Sequence, residues 1–137
     1  MTLNTFGAIL TFAIELEDAM QSFYKAASAV GGESAELFGR YARKSGERKQ
    51  RLIGIRQENV TEMVLEPISG LNVEDYRPDA ATPTDRASAL VEAARLEKRT
   101  ERFYTDAGPK INVSEPRRAF AKFAQENAKR LQEMQPA

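Results

Sequence analysis

EDAMQSFY at residues 17–24 returns as EKRTERFY at residues 97–104, 80 positions later. Each copy begins with a glutamate and ends with a Phe-Tyr pair, and an alanine follows the tyrosine three positions on. On a helix, steps of three and four residues stay on one face. Each copy therefore predicts a helix whose inward stripe carries one carboxylate, from Glu17 or Glu97. Such a carboxylate is costly unless a cation faces it, so the functional question is whether that cation is a metal ion or a side chain.

A second repeat follows each copy of the first. The pattern FxxYAxxSxxRxxxL at residues 38–52 aligns with FxxFAxxNxxRxxxM at residues 120–134. Ser45 then matches Asn127, and Arg48 matches Arg130. Two helical hairpins with matching patterns predict an all-α, antiparallel four-helix bundle with pseudo-twofold symmetry.

Composition bounds the chemistry of the chain. Its 137 residues predict a single domain spanning positions 1–137, with 42% apolar and 29% charged residues. Twenty basic and twenty acidic residues balance, so no global field attracts nucleic acid or anionic lipid. Cysteine and histidine are absent from the sequence, which excludes disulfides, thiolate sites and histidine chemistry. Any metal would need oxygen ligands.

Local signals place the first two helices. The first is predicted over Thr5–Val30, where Gly31-Gly32 gives a C-terminal stop signal. The second starts near Ser34, carries apolar residues at helical spacing as far as Met63, and ends before Pro67.

The rest of the chain completes the predicted bundle. Residues 66–83 contain three prolines and a glycine, and they are too many for a tight turn, so they indicate a crossover between two hairpins. The third helix opens at Thr82, a predicted N-cap with proline next and an acid three residues on, and ends at Gly108-Pro109. The fourth is predicted from a Ser114 cap to about Met134.

Membranes and nucleic acids are not expected partners. The apolar stretch near the N-terminus is followed at once by acids and has no basic lead, so a secretory signal is not predicted. No apolar run approaches membrane-spanning length, and a cytoplasmic location is expected. Basic clusters such as Arg43-Lys44 are diluted by neighbouring acids and indicate solvated helix faces.

The two repeats together resemble the rubrerythrin branch of the ferritin-like superfamily, and residues 68–76 are similar to a segment common there. The resemblance implies a ferritin-like bundle of two hairpins joined by a long crossover. In that family, one Glu from each odd helix and a Glu-x-x-His from each even helix hold two irons. The implied activity is reduction of peroxide or oxygen. Many relatives add a cysteine-rich rubredoxin module, which this sequence does not contain.

The resemblance breaks at the metal ligands. Glu17 and Glu97 fall at the odd-helix ligand positions. The even-helix glutamate positions fall on Ser45 and Asn127, and the histidine positions fall on arginines, Arg48 and Arg130. Arginine stays protonated and would repel the irons it displaced. We therefore expect a degenerate di-iron site with no catalytic residue and no cofactor, in which each arginine pairs with Glu17 or Glu97 across the core.

Alternatives remain open at this stage. A second register, Glu47-x-x-Gln50 and Glu126-x-x-Lys129, would restore carboxylates and give an iron or manganese site of Glu17, Glu47, Glu97 and Glu126. The chain would then be a rubrerythrin-like metalloprotein of peroxide or oxygen detoxification or iron handling. Alternatively, both arginines could snorkel to the bundle edge. In either case, Tyr24 and Tyr104 lie about two turns past each glutamate and can donate phenolic hydrogen bonds towards the core.

The first helix carries a second apolar line, formed by Ile9, Phe12, Leu16, Ala19, Phe23 and Val30. This line predicts a homodimer through helix 1, with burial under the crossover or in the bundle as the alternative. Taken together, the sequence favours a non-catalytic structural or interaction module with an unidentified protein partner over a di-iron oxidoreductase.

Overall fold

The computed structural model describes residues 3, 5–59 and 70–134. These residues form four α-helices and no β-strand. The helices are α1 (Phe6–Val30), α2 (Ala35–Glu58), α3 (Arg86–Ala107) and α4 (Ser114–Glu133), and short 3₁₀ helices span Val73–Asp75 and Gly108–Lys110. The all-α prediction is confirmed.

The first hairpin follows the local signals closely. The Thr5 hydroxyl accepts a hydrogen bond from the Ala8 N–H at 3.0 Å and caps α1. The helix stops at Gly31 and Gly32, whose φ angles of 88° and 85° lie in the left-handed region that favours glycine. The short link that follows leads directly into α2, and α1 packs mainly against α2.

The end of α2 differs from the prediction. The helix ends at Glu58, and both the backbone N–H and the Nδ2 of Asn59 donate to the Ile55 carbonyl, at 3.1 and 2.8 Å. An asparagine side chain that hydrogen-bonds to the last turn competes with the backbone hydrogen bonds that would extend the helix. The spacing of apolar residues does not reveal this competition. Met63, Pro67 and the first part of the predicted crossover lie outside the described residues.

The start of α3 also differs. Asp85, not Thr82, caps the helix: its carboxylate accepts from the Ser88 N–H at 2.8 Å, and the Ser88 hydroxyl accepts from the Asp85 N–H. This reciprocal pair satisfies two free N–H groups. At α4, Ser114 is the first helical residue and Val113 occupies the cap position, so the predicted serine cap is wrong. Helix α3 packs mainly against α4.

The second apolar line of α1 is covered by the chain itself. Ile9, Phe12, Leu16 and Phe23 are buried, and the Phe12 ring meets the Phe103 ring of α3 at 5.2 Å. Leu71, Val73 and Tyr76 from the connection before α3 belong to the same core. Most of the α1 face proposed for a homodimer therefore lies in the core of this chain. The homodimer remains a prediction, and this face no longer supports it.

Within the described residues, no helix has both the length and the apolar content needed to cross a bilayer.

Candidate functional site: a buried charge network

The predicted inward stripes carry their glutamates into the centre of the bundle. Glu17 on α1 and Glu97 on α3 are each 0% exposed. The other members of the stripes are small or apolar, including Ala13 and Ala93, and both tyrosines are also buried. Two carboxylates are thus enclosed by apolar surface, where each needs a cation and hydrogen-bond donors.

Arg48 of α2 supplies the cation for Glu17. Its Nη1 lies 3.3 Å from Glu17 Oε2 and donates to Asn127 Oδ1 at 2.9 Å. Its Nη2 donates to the Phe123 carbonyl at 3.0 Å and to Glu126 Oε1 at 3.2 Å. The side chain is only 4% exposed, so it does not snorkel to solvent. One guanidinium therefore connects α2 to both α1 and α4.

Arg130 of α4 makes the corresponding pair with Glu97. Its Nη1 lies 3.3 Å from Glu97 Oε2, and it donates a longer hydrogen bond, 3.5 Å, to the Ser45 hydroxyl. The guanidinium also lies over the Tyr41 ring, 5.2 Å from its centroid. Arg130 is 5% exposed and is likewise enclosed. Both arginine–glutamate pairs expected from the sequence are present, each within one hairpin.

The tyrosines cross between the two hairpins. Tyr24 on α1 donates to Glu97 Oε2 on α3 at 2.5 Å, and Tyr104 on α3 donates to Glu17 Oε2 on α1. Each glutamate thus takes its cation from its own hairpin and its phenol from the other. Asn127 adds a further link, because its Nδ2 donates to Glu97 Oε1 at 2.7 Å.

Burial and neighbouring charges shift the pKa values of four groups in this network. Burial is the largest cause that raises the pKa of Glu97, against the opposing charge of Arg130. Burial also raises the pKa of Tyr24 and Tyr104 well above the ordinary phenol value, so both remain hydrogen-bond donors at neutral pH. For Arg48, burial lowers the pKa, but Glu17 and other neighbouring anions outweigh it and leave the pKa above its usual value.

The two halves of the network differ at one pair of positions. Asn127 reaches both Arg48 and Glu97, whereas the shorter Ser45 reaches only Arg130. As a consequence, Glu17 Oε1 has no hydrogen-bond partner in the described structure, although the equivalent Glu97 oxygen has one. Arg48 Nε is the other buried atom without a partner among the described residues.

The alternative metal site is not assembled. Glu47 is 68% exposed and pairs with Lys44 at 3.6 Å, while Glu126 is 44% exposed and binds Arg48. The proposed ligand set of Glu17, Glu47, Glu97 and Glu126 therefore does not converge, which corrects the second-register hypothesis. In the described part of the chain, no three acidic, histidine or cysteine side chains lie close enough to hold a metal ion.

The positions that the resemblance assigns to metal ligands do not fit iron either. At both positions assigned to histidine, a guanidinium, a permanent cation without lone pairs to donate, lies against a glutamate. At the positions assigned to the even-helix carboxylates, the hydroxyl of Ser45 and the amide of Asn127 leave too little negative charge for two divalent ions.

Sequence reasoning missed several members of the network. It did not foresee that Glu126 would bond Arg48 from the half-exposed edge of the bundle. Nor did it foresee the hydrogen bond from Tyr41 to Glu133 at 2.8 Å. Each bond joins α2 to α4. The repeat aligns these two helices as equivalent segments, and such an alignment does not predict which of their residues contact each other.

No protein-family profile matches this chain, and no curated protein matches it either.

Proposed function

We propose that this chain is a rubrerythrin-type, ferritin-like bundle that has lost its di-iron site and acts as a non-catalytic structural or interaction module. The observation that carries the proposal is the position of Arg48 and Arg130. Each lies 3.3 Å from the glutamate expected to bind iron, within a bundle core. Two glutamate–arginine pairs take the place of two metal ions.

Charge balance supports this proposal. Two buried carboxylates face two buried guanidiniums, so the network is neutral before any metal is added. Bringing two divalent cations next to Arg48 and Arg130 would add strong repulsion in a medium of low dielectric constant. One oxygen of each glutamate is also engaged, since Oε2 accepts from a tyrosine and an arginine.

The proposal also fits the chemistry of the tyrosines and arginines at this site. The phenols have raised pKa values and donate to carboxylates, so they do not act as bases at neutral pH. The guanidiniums are fixed cations. What the network supplies is a set of connections among all four helices, which is a structural role.

Iron loading under anaerobic conditions tests the proposal. We expect the wild-type chain, incubated with Fe(II) and passed through a desalting column, to retain no stoichiometric iron. The matched positive control restores the family ligands with Ser45→Glu, Arg48→His, Asn127→Glu and Arg130→His, and is expected to gain iron. Two tightly held irons per wild-type chain would overturn the proposal.

A further inference from the structure

A groove runs between α2 and α4 on one side of the bundle. The two helices make few direct contacts, and two cavities of about 170 and 360 Å³ lie along the seam. Lys44 and Glu126 border both cavities, so the two adjoin. We call these two cavities together the α2–α4 groove.

The α2–α4 groove is basic although the whole chain is neutral. Seven basic side chains and three carboxylates line it. Two of the cations, at its base, are neutralised by Glu17 and Glu97 underneath. Three exposed cations, Arg51, Lys122 and Lys129, have no carboxylate partner in the described part of the chain. An excess of positive charge is therefore concentrated at the rim.

The α2–α4 groove already binds carboxylates of its own chain. Glu126 accepts from Arg48 Nη2 at 3.2 Å. Two turns further along α4, Glu133 accepts from the Tyr41 hydroxyl at 2.8 Å and lies 3.5 Å from Arg40. These contacts show which functional group the lining fits.

Arg48 provides an independent indication of a ligand. It is 4% exposed, lines the smaller cavity, and its Nε has no hydrogen-bond partner among the described residues. A buried N–H without an acceptor is rare. A carboxylate entering beside Glu126, or displacing it, would give Nε the acceptor that it lacks, because Nε and Nη2 together can bind one carboxylate as a fork.

We propose that the α2–α4 groove binds an acidic segment of a partner protein, whose carboxylates contact Arg51, Lys122 and Lys129 and compete with Glu126 for Arg48. This inference rests on the proposed function and names the chemistry of the partner. A peptide can place its acids opposite the cations alone. A nucleic acid carries a phosphate at every nucleotide and would meet the three groove carboxylates.

The experiment uses a fluorescein-labelled synthetic peptide of alternating glutamate and alanine. The groove extends along α2 from Arg40 to Arg51, about 16 Å at the helical rise, which about five extended residues span. A peptide of about ten residues therefore covers it. Fluorescence anisotropy at low ionic strength is expected to show saturable binding that weakens as salt is added.

Charge-matched variants localise the binding. Lys122→Gln with Lys129→Gln is expected to weaken peptide binding by about tenfold, since two exposed ion pairs are lost. The control, Lys25→Gln with Lys98→Gln, removes the same charge from exposed positions on α1 and α3, and is expected to change binding by less than about twofold. Equal losses in both double variants would overturn a site in the groove.

Glu126→Gln tests the competition directly. Removing the resident carboxylate from Arg48 is expected to tighten peptide binding by about threefold or more. Weaker binding by this variant, no peptide binding by the wild type, or tighter binding of a single-stranded oligonucleotide of equal charge would each overturn the inference. Iron loading is measured separately, so a chain that binds the peptide and also retains iron would refute only the metal-free proposal. A chain that binds neither would refute only the groove.

Discussion

Removing Arg48 should expose the cost of an unpaired charge in the bundle core. Arg48→Met takes away the only cation within 4 Å of Glu17 among the described residues and leaves that carboxylate with the Tyr104 hydroxyl. Stranding one partner of a buried pair costs about 3–5 kcal/mol. For a chain of this size, that corresponds to a fall in Tm of roughly 10–20 °C.

The double variant separates charge from packing. In Glu17→Gln with Arg48→Met, no charge is stranded, but Asn127 Oδ1 and the Phe123 carbonyl still lose the donor they had in Arg48. Two unpaired neutral acceptors cost about 1 kcal/mol each or somewhat more. We therefore expect a residual loss of about 2 kcal/mol in the double variant and a coupling energy of at least about 2 kcal/mol, to which any loss caused by Glu17→Gln alone adds.

Urea denaturation followed by far-UV circular dichroism gives the free energies, with Glu17→Gln completing the cycle. The control is Arg43→Met, an exposed arginine on the same helix, which should change stability by less than about 0.5 kcal/mol. If the two losses simply added, with a coupling energy below about 0.5 kcal/mol, the pair would not be an energetic unit and the reasoning would be refuted.

Three further predictions test other parts of the structure. Ser45→Asn should copy the amide of Asn127 and donate to the unpartnered Glu17 Oε1, which should stabilise the chain by about 1 kcal/mol in the same urea assay; a loss would show that the site cannot hold the larger side chain. Because burial raises the pKa of Glu97, its contribution to stability is complete below the ordinary carboxyl pKa and is lost as pH rises through the folded value. The stability of the wild type relative to Glu97→Gln should therefore fall as the pH rises above about 4, the ordinary carboxyl pKa, and a relative stability that rises would contradict this direction. Asp85→Ala removes the cap of α3 and should lower the unfolding free energy by about 1 kcal/mol, whereas Thr82→Ala, at the position predicted from sequence, should have almost no effect.

The elements of the bundle could be predicted where local chemistry decides them. The glycine pair that ends α1 needs φ values that few other residues adopt, so the stop at Val30 is encoded in two residues. The buried stripe follows from helical spacing alone, and Glu17 and Glu97 are accordingly enclosed. The end of α2 could not be predicted in this way. Asn59 ends the helix through a side-chain hydrogen bond to the last turn, but asparagine is also common in loops, so the residue type alone does not mark a helix end.

Contacts between helices were harder to predict from the sequence. The repeat relates α1 to α3 and α2 to α4, so it identifies equivalent positions but not neighbours. It could place an arginine opposite each glutamate, since charge balance demands one. It could not show that each tyrosine would serve the glutamate of the opposite hairpin. It also could not decide between the core and a partner subunit for the second apolar line of α1, which lies in one core with Leu71 and Tyr76, because an apolar line is compatible with both.

The crossed tyrosines have a consequence for how the helices are aligned along their axes. Apolar side chains tolerate small slips, because one methyl group can replace another in the same hole. A slip of α1 against α3 by one turn, about 5.4 Å, would instead separate Tyr24 from Glu97 and Tyr104 from Glu17 at the same time. The two phenols therefore fix the register of one hairpin against the other, a task for which buried polar groups are best attested. They keep the two similar hairpins from packing against each other in the wrong register.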